Sequence, residues 1–327
     1  RGTAETMRQD ARAMAEKQKN APYGKLTPLM ALQLAAPHTW PAAILPCLVA
    51  VACAMAAGGT VSFSMAVVLL AICVLMQAAV NTFNDYFDFV KGADSADDNV
   101  EASDAVLVYN NVNPKHALAL AVGFLVVAFV LGVYPIVAAG PTPLVIAAIA
   151  ALVVVLYSGG KTPISYLPIG EVVSGGVMGG LIPLACYQVL TGRLQFLMLL
   201  WALPCIINVG LIMMTNNCCD IEKDIAAGRK TLPVLLGRAK TVALYHGLMV
   251  ASIAIAVAVV AAFFPRGLVV VPFMLLGLWG NFKALWSNPL VNPSRIGAMA
   301  QVGGFNVMTG AFYAAAILAN GTAVLGF

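Results

Sequence analysis

Charged residues are scarce in this sequence. Asp, Glu, Lys and Arg make up 10% of the 327 residues, whereas hydrophobic residues make up 61%. A soluble domain carries roughly 25% charged residues, because its core must be covered by a polar surface. The composition therefore excludes an ordinary soluble globular protein and indicates a chain that lies largely within a membrane.

Three other features that the sequence lacks narrow the class of protein. The basic residues form no compact patch with interleaved aromatic residues, so the net charge of +4 indicates attraction to anionic lipid and no nucleic-acid partner. The seven cysteines show no Cys-x-x-Cys pair and no Cys/His zinc spacing, so we expect buried, reduced thiols. Residues 1 to 25 lack the apolar core of a signal peptide and are predicted to form a cytoplasmic N-terminal tail.

Long apolar runs fill residues 26 to 327. A helix needs ~20 residues to cross ~30 Å of hydrocarbon. We therefore predict an all-α polytopic membrane protein, in which about nine transmembrane helices form a single bundle with no soluble second domain. The pairs Gly175/Gly179 and Gly176/Gly180 predict close helix packing. The nine runs lie near residues 28 to 57, 61 to 88, 116 to 138, 142 to 158, 170 to 190, 194 to 217, 241 to 263, 266 to 285 and 298 to 320.

The distribution of charge predicts the orientation. Lys and Arg are enriched in the short cytoplasmic loops of membrane proteins. With the N-terminus in the cytoplasm, all 14 acidic residues and all but Arg193 and Arg266 of the 18 Lys and Arg residues fall on the cytoplasmic side. The sequence therefore predicts a multi-pass protein of the cell inner membrane, with its active site at the cytoplasmic side.

A polar face ends the second predicted span. Asn81, Asn84, Asp85 and Asp88 stand at i, i+3, i+4 and i+7 of a helix, which brings neighbouring side chains to within ~5 to 6 Å. Carboxylates this close repel one another. Mg²⁺ relieves the repulsion and commonly takes one or two carboxylates together with waters and substrate phosphate oxygens. The alternative for this segment alone is a solvated helix end.

A second acidic segment ends the sixth predicted span. Asn216, Asp220 and Asp224 repeat at i, i+4 and i+8, with Asn217 beside them. The same chemistry thus occurs twice where an apolar helix meets the predicted cytoplasmic face. Two such segments favour a shared metal site over two unrelated helix ends.

Basic loops that contain glycine accompany the acidic segments. Lys161 follows Gly159 and Gly160, and Arg229 and Lys230 follow Gly228. Glycine lets the backbone approach an anion closely, and Arg and Lys donate charge-assisted hydrogen bonds to phosphate. Neither loop has the spacing of a P-loop. Acids, metal and bases together predict a diphosphate site, although each base alone is equally compatible with a positive-inside topology charge.

These residues resemble those of the UbiA-type intramembrane prenyltransferases, which carry two Asp-rich motifs on a bundle of nine helices. The likeness covers most of the chain from about Pro37 onward and is greatest to 1,4-dihydroxy-2-naphthoate polyprenyltransferases of menaquinone synthesis. It is carried by Asn84-Asp85-Tyr86-Phe87-Asp88 with Lys91-Gly92 and Asp94, by Tyr157-Ser-Gly-Gly-Lys161, by Gly170-Glu171, and by the segment from Asn216 to Asp224 that continues into Gly228-Arg-Lys-Thr-Leu.

The resemblance implies a Mg²⁺-dependent transfer of a polyprenyl group from prenyl diphosphate to an aromatic acceptor. The favoured acceptor is 1,4-dihydroxy-2-naphthoate, which would give demethylmenaquinone with loss of carboxylate. Tyr157 and Glu171 are implied near the acceptor, although an interfacial tyrosine is an equal alternative for Tyr157. The implied metal ligands are Asp85, Asp88, Asp220 and Asp224, and the implied diphosphate-binding residues are Asn81, Asn84, Lys91, Lys161, Asn217, Arg229 and Lys230.

Two departures from the family pattern leave the acceptor open. Ala36-Pro37-His38-Thr39 stands where the family usually reads Arg-Pro-x-Thr, and Ala102-Ser103-Asp104 stands where it often reads Gly-Pro-Ser-Arg. A prenyltransferase for another phenolic acceptor is therefore the first alternative. A cation-coupled transporter is less favoured, because transporters tend to carry their acids near mid-membrane. A CDP-alcohol phosphotransferase is excluded, because its Asp-Gly-x-x-Ala-Arg element is absent.

Overall fold

The structure is a computed structural model that describes residues 23–58, 60–91, 106–321 and 325–326, and most of these residues are helical. Two short strands, β1 (Val61–Ser62) and β2 (Leu325–Gly326), form a parallel pair. In chain order the helices are α1 (Pro28–Leu34), α2 (Pro41–Ala56), α3 (Phe63–Lys91), α4 (Val106–Asn110), α5 (Pro114–Ala139), α6 (Thr142–Ser158), α7 (Gly170–Thr191), α8 (Leu197–Trp201), α9 (Leu203–Cys219), α10 (Ile221–Ala226), α11 (Leu232–Leu236), α12 (Arg238–Phe263), α13 (Val271–Ser287) and α14 (Arg295–Ala319).

The predicted class, an all-α multi-pass membrane protein, agrees with these helices. Within the described residues, six helices are long and apolar enough to cross a membrane: α3, α5, α7, α12, α14 and α13 with the turn that precedes it. The bent pair of α1 and α2 raises the number to seven. Helices α6 and α9 are apolar but have only 17 residues each. The count of nine spans therefore stays a prediction.

The first predicted span is not one straight helix. The chain bends by 55° between α1 and α2, and Ala36 at the bend has a left-handed backbone with φ 46°. Pro37 and Pro41 begin the segments that follow, and proline has no N–H to continue a helical hydrogen-bond ladder. Asn81 of α3 donates its amide to Thr39 Oγ1 at 2.7 Å. The bend is thereby attached to the helix that carries the first acidic segment.

The two acidic segments differ in backbone structure. Asn81, Asn84, Asp85 and Asp88 lie on the 29-residue helix α3, as predicted. Helix α9 ends at Cys219, and Asp220 separates it from α10, which carries Asp224. The spacing i, i+4 and i+8 is kept in the backbone, because Asp220 N–H donates to the Asn216 carbonyl at 3.1 Å and Asp224 N–H donates to the Asp220 carbonyl at 2.8 Å. Arg238 Nη1 donates to the Cys218 carbonyl at 2.6 Å, which satisfies an acceptor at the end of α9.

Glycines of α7 pack directly on the backbone of α9. A Cβ added at Gly175 or Gly179 would lie 2.4 or 2.5 Å from backbone atoms of Ile206, so only glycine allows this approach, and the close packing predicted for this pair is confirmed. The prediction for the second pair is wrong at Gly176, whose added Cβ would meet nothing within 4 Å. The segment Gly175–Leu181 is a π-helical turn, a local widening that is frequent at functional sites.

Candidate active site

The two acidic segments face the same cavity, whose volume is about 570 Å³. Its walls come from the α1–α2 bend and from α3, α6, α7, α9 and α14. The contributing polar residues that the sequence singled out are Asn81, Asn84, Asp85, Asp88, Tyr157, Asn216, Asp220 and Arg229. The fold thus brings together residues that are far apart in the chain.

Arg229 lies between the two acidic segments. One guanidinium nitrogen, Nη2, is 3.6 Å from Asp88 Oδ1, and the other, Nη1, is 3.6 Å from Asp224 Oδ1. The guanidinium also lies over the Tyr166 ring, 4.5 Å from its centroid, a distance suited to a cation–π contact. These contacts orient the Arg229 side chain within the cavity wall.

Asp224 is buried and is not part of the described cavity wall. It is 2% exposed, and Thr231 Oγ1 donates to its Oδ2 at 3.2 Å. Burial raises the pKa of Asp224 to about 6, against the opposing charge of Arg229. Burial also raises the pKa of Asp220, and the charge of Arg295 opposes it. Desolvation thus disfavours the charged form of both carboxylates, whereas a cation placed beside them would favour it.

Arg295, at the start of α14, is a site residue that sequence reasoning missed. Its Nε is 3.4 Å from Asp220 Oδ2, its Nη2 donates to Asn216 Oδ1, and it lines the cavity. In the sequence it counts only as one more cytoplasmic charge. No local pattern predicts these contacts, because Asn216 and Asp220 are far from Arg295 in the chain.

Tyr157 and Glu171 are placed differently: Tyr157 lines the cavity, whereas Glu171 contacts the second acidic segment. Tyr157 is 8% exposed and lines the cavity. Within the described residues its hydroxyl is buried and has no hydrogen-bond partner, and it would lie 3.3 Å from a Cβ added at Gly170. Glu171 is buried and accepts a hydrogen bond at 2.9 Å from Asn217 Nδ2. Asn217 is therefore bound to Glu171 and is not part of the described cavity wall.

The remaining predicted bases lie elsewhere. Lys161 and Lys230 are exposed and are absent from the described cavity wall. The Lys230 backbone N–H donates to the Tyr166 carbonyl at 2.8 Å, which helps to hold the loop that carries Arg229. Lys91 is the last residue of α3, and its side chain lies outside the described part of the chain. Asp94 and residues 102 to 104, where the sequence departs from the family pattern, lie outside it as well. Ala36, the other departure, lines the cavity.

The donor set at the cavity fits Mg²⁺. It consists of oxygen ligands, with Asp85 and Asp88 on one side and Asp220 with Asn216 on the other. Among the described residues, no three acidic side chains have carboxylate oxygens within 4.8 Å of one another, so the protein does not form a closed cage. Mg²⁺ suits such an open site, because it usually takes one or two carboxylates and completes its shell with water and phosphate oxygens.

The wall also contains many apolar side chains, beside further polar ones such as Gln77, Asn306 and Lys223. It includes Val154, Val177, Ile212 and Met299, and small residues of α14 leave space at Gly303. A cavity that is lined by cations, carboxylates and apolar side chains suits an amphiphile with an anionic head and an apolar chain.

Comparisons with known proteins agree with this chemistry. The sequence profile described as the UbiA prenyltransferase family matches residues 43–301. The 1,4-dihydroxy-2-naphthoate octaprenyltransferase of Bacillus subtilis is 35% identical over 224 residues, which cover 68% of this chain and 70% of that protein. The protein of the same name from Mycobacterium tuberculosis is 30% identical over 216 residues, which cover 66% and 72%.

Solved structures share the fold. An apo UbiA homolog from Aeropyrum pernix K1 superimposes with a TM-score of 0.64 at 18% identity, covering 86% of this chain and 97% of that one. A UbiA homolog from Archaeoglobus fulgidus bound to DMAPP and Mg²⁺ gives a TM-score of 0.61 at 16% identity, covering 88% and 98%. Because the family profile spans most of the sequence, this chain belongs to the UbiA prenyltransferase family and is a multi-pass membrane prenyltransferase.

Proposed function

We propose that this prenyltransferase joins a polyprenyl group from prenyl diphosphate to 1,4-dihydroxy-2-naphthoate, with Mg²⁺, at the cytoplasmic side of the cell inner membrane. The observation that carries the proposal is the shared cavity: acids of two distant segments line it, and Arg229 lies between them. The names of the two bacterial relatives support the acceptor. The ligands of the Archaeoglobus fulgidus protein support the diphosphate and the metal.

At the diphosphate end, bound Mg²⁺ supplies positive charge to the leaving group. Asp85, Asp88 and Asp220 would hold it. Arg229 donates hydrogen bonds to the diphosphate oxygens, and its contacts with Asp88 and Asp224 orient it before substrate arrives. Preorganised donors stabilise developing charge without a further reorganisation penalty. Asp224, which pairs with Arg229 at 3.6 Å, would be a further metal ligand.

The smaller polar groups and the outer bases have supporting roles in this proposal. Asn81 and Asn84 orient metal-bound water, and both line the cavity. Asn217 holds Glu171 at 2.9 Å. Lys91, Lys161 and Lys230 attract the diphosphate to this end of the bundle through longer-range charge.

At the apolar end, the wall protects the allylic cation from water. As the C1–O bond to diphosphate breaks, positive charge spreads over the allylic carbons, and water there would give the alcohol instead of the transfer product. Val154, Val177 and Met299 exclude it. The Tyr157 ring offers its face to the cation, and its hydroxyl can accept a hydrogen bond from the phenol of the acceptor.

The acceptor contributes the electron pair of the new C–C bond. The ring carbon attacks C1 of the prenyl chain, diphosphate departs, and the acceptor carboxylate leaves as CO₂, so that the product is the hydroquinone form of demethylmenaquinone. An acidic acceptor needs a cation, yet Ala36 stands in the cavity wall where the family usually has arginine. Arg295 lines the same cavity and can bind the carboxylate.

The experiment uses the purified protein in lipid nanodiscs with Mg²⁺, a long-chain prenyl diphosphate and 1,4-dihydroxy-2-naphthoate. Mass spectrometry follows the decarboxylated prenylated product, and a separate assay follows diphosphate release. We expect Asp85→Asn and Asp220→Asn to lower both by about a hundredfold or more. The matched control is Glu222→Gln, because Glu222 lies in the same segment but is 72% exposed and pairs with Arg238 at 2.8 Å.

The two readouts separate the two parts of the proposal. If diphosphate release and prenylation occurred with other phenols but not with the naphthoate, the proposed acceptor would be wrong. The alternative of another phenolic acceptor, which Ala36 suggests, would then be supported. Diphosphate release that is unaffected by Asp85→Asn or by chelation of Mg²⁺ would overturn the assignment of the site.

A further inference from the structure

Three cysteines meet in the core of the bundle. Cys47 of α2, Cys73 of α3 and Cys186 of α7 have Sγ atoms that all lie within 4.8 Å of one another, and the Cys186 and Cys47 Sγ atoms are 3.7 Å apart. All three are buried and free of disulfides, as the sequence predicted for the thiols. Their meeting was not predicted, because it depends on how three helices pack.

This thiol cluster is separate from the active-site cavity. None of the three cysteines lines that cavity within the described chain. Cys73 and Cys186 instead line a second, apolar cavity of about 440 Å³ among α3, α5, α6 and α7. Met76, which is one helical turn beyond Cys73, also lines this second cavity.

We propose that the thiol cluster binds one soft metal ion and that Cu(I) is the ion that it fits. A metal–thiolate bond of ~2.3 Å places three sulfurs around one ion roughly 4 Å apart. The observed spacing of 3.7 Å for the nearest pair, with the third sulfur within 4.8 Å, is close to this value. The ion therefore needs only small side-chain rotations.

The donor types select the metal. Structural zinc takes four ligands from Cys, His and carboxylates, whereas this group offers three thiols with no histidine or carboxylate among them. Soft thiolate sulfurs favour Cu(I). The ion enters as Cu(I), so no electron is transferred, and thiol protons are released to the solvent as metal–sulfur bonds form. Release of two protons leaves a single net negative charge, which an apolar core tolerates better than the two left by three thiolates.

The bound ion would link three helices at a point away from the chemistry. Cys47, Cys73 and Cys186 each belong to a different helix, and all three lie in the same buried apolar core. We therefore expect Cu(I) to raise the thermal stability of the bundle. Prenyl transfer itself does not require the ion.

The test uses full-length protein that is reduced, stripped of metal and handled without oxygen. Cu(I) is added in the presence of bicinchoninate as a competing chelator, and copper per chain is measured by mass spectrometry after desalting. We expect one copper ion per chain, a sulfur-only shell at ~2.3 Å in X-ray absorption, and a raised melting temperature. Copper binding should be lost in Cys47→Ala and in Cys186→Ala.

The other buried cysteines provide matched controls. Cys53→Ala alone, and a variant in which Cys53, Cys205, Cys218 and Cys219 are all alanine, should keep the copper, because these thiols lie outside the cluster. Copper retained equally in Cys186→Ala, or no copper retained by the unmodified protein, would overturn the proposal. Gel filtration of each copper-free variant checks its folding, and Cys73→Val removes a sulfur with little change of volume if an alanine variant does not fold.

Discussion

Tyr157 combines burial with an unsatisfied hydroxyl. Its side chain is 8% exposed, and its oxygen has no hydrogen-bond partner in the described part of the chain. A buried polar group without a partner costs about 1 to 3 kcal/mol of stability. The hydroxyl therefore lowers the stability of the substrate-free protein, and we propose that it serves the bound substrate.

Tyr157→Phe should therefore separate activity from stability. We expect the melting temperature to stay the same or rise, and kcat for prenyl transfer to fall about fivefold, since a hydrogen bond between neutral groups contributes about 1 kcal/mol. Kinetics and thermal unfolding are measured on the same preparation. An unchanged kcat would contradict the role of the hydroxyl.

Tyr245 offers the opposite case for comparison. Its hydroxyl is buried and lies 2.7 Å from Thr215 Oγ1, with which it shares a hydrogen bond. Tyr245→Phe should lower stability by about 1 kcal/mol and leave kcat unchanged, because Tyr245 is not part of the described cavity wall.

Single residues also show which features of the site the sequence could not predict. Asp85 and Asp88 could be predicted because their spacing is that of one helix face. Arg295 could not, because a lone arginine in a predicted cytoplasmic loop carries no sign that it will approach Asp220 to 3.4 Å. That contact depends on the packing of α14 against α9, which no local pattern encodes.

At the scale of helices, the contact between α7 and α9 depends on a missing side chain. A Cβ at Gly179 would lie 2.5 Å from the backbone of Ile206, and backbone cannot move aside as a flexible side chain can. Gly179→Ala should therefore force α7 and α9 apart and lower stability by about 1 to 3 kcal/mol. Thermal unfolding in detergent measures this loss.

The neighbouring Gly176 gives a control on the same helix. An added Cβ there meets nothing within 4 Å, and alanine favours helix more than glycine does. Gly176→Ala should leave the melting temperature unchanged or raise it. Equal losses in both variants would show that the packing at Ile206 is not the cause.

At the bend between α1 and α2, one substitution is expected to raise the stability of the protein. Ala36 has φ 46°, a left-handed conformation that costs an L-residue roughly 1 to 2 kcal/mol and costs glycine much less. Ala36→Gly should raise stability by up to about 1 kcal/mol after the larger entropy loss of glycine is included. Ala35, with φ −70° and ψ −15°, is the control: Ala35→Gly should lower stability. A loss in both variants would contradict the strain at residue 36.

Element boundaries divide into those that the sequence could predict and those that it could not. The long helix α3 followed from an uninterrupted apolar run that continues into the first acidic segment. The end of α9 at Cys219 did not, because it depends on Arg238, which binds the Cys218 carbonyl from a distant helix. The bend before α2 had a local signal in Pro37 and Pro41, which the hydropathy of the whole run obscured.

At the scale of the whole molecule, many large apolar side chains are on the outside. Val130, Val137 and Phe129 of α5 and Leu276 and Trp279 of α13 are more than half exposed. A soluble protein rarely shows such a surface, whereas lipid tails solvate it without penalty. The bundle therefore relies on close packing and internal hydrogen bonds more than on the burial of apolar surface.

Orientation can be tested with single cysteines on this bundle. Lys161 and Arg266 are both exposed, and the charge distribution predicts that they lie on opposite sides of the membrane. In intact spheroplasts, a membrane-impermeant maleimide should label Arg266→Cys at once and Lys161→Cys only after permeabilisation. The seven native cysteines are buried, which keeps the background low. The reverse pattern would mean that the N-terminus is outside.

The size of the active-site cavity has a consequence for the substrate. A volume of about 570 Å³ suits a ligand of drug-like size, and a long polyprenyl chain is larger than that. Under the proposed function, most of this chain stays dissolved in the bilayer while its diphosphate end reacts. Substrate supply is then governed by the number of prenyl diphosphates per lipid molecule, a two-dimensional concentration, and dilution of the membrane with inert lipid would slow the reaction at constant bulk concentration.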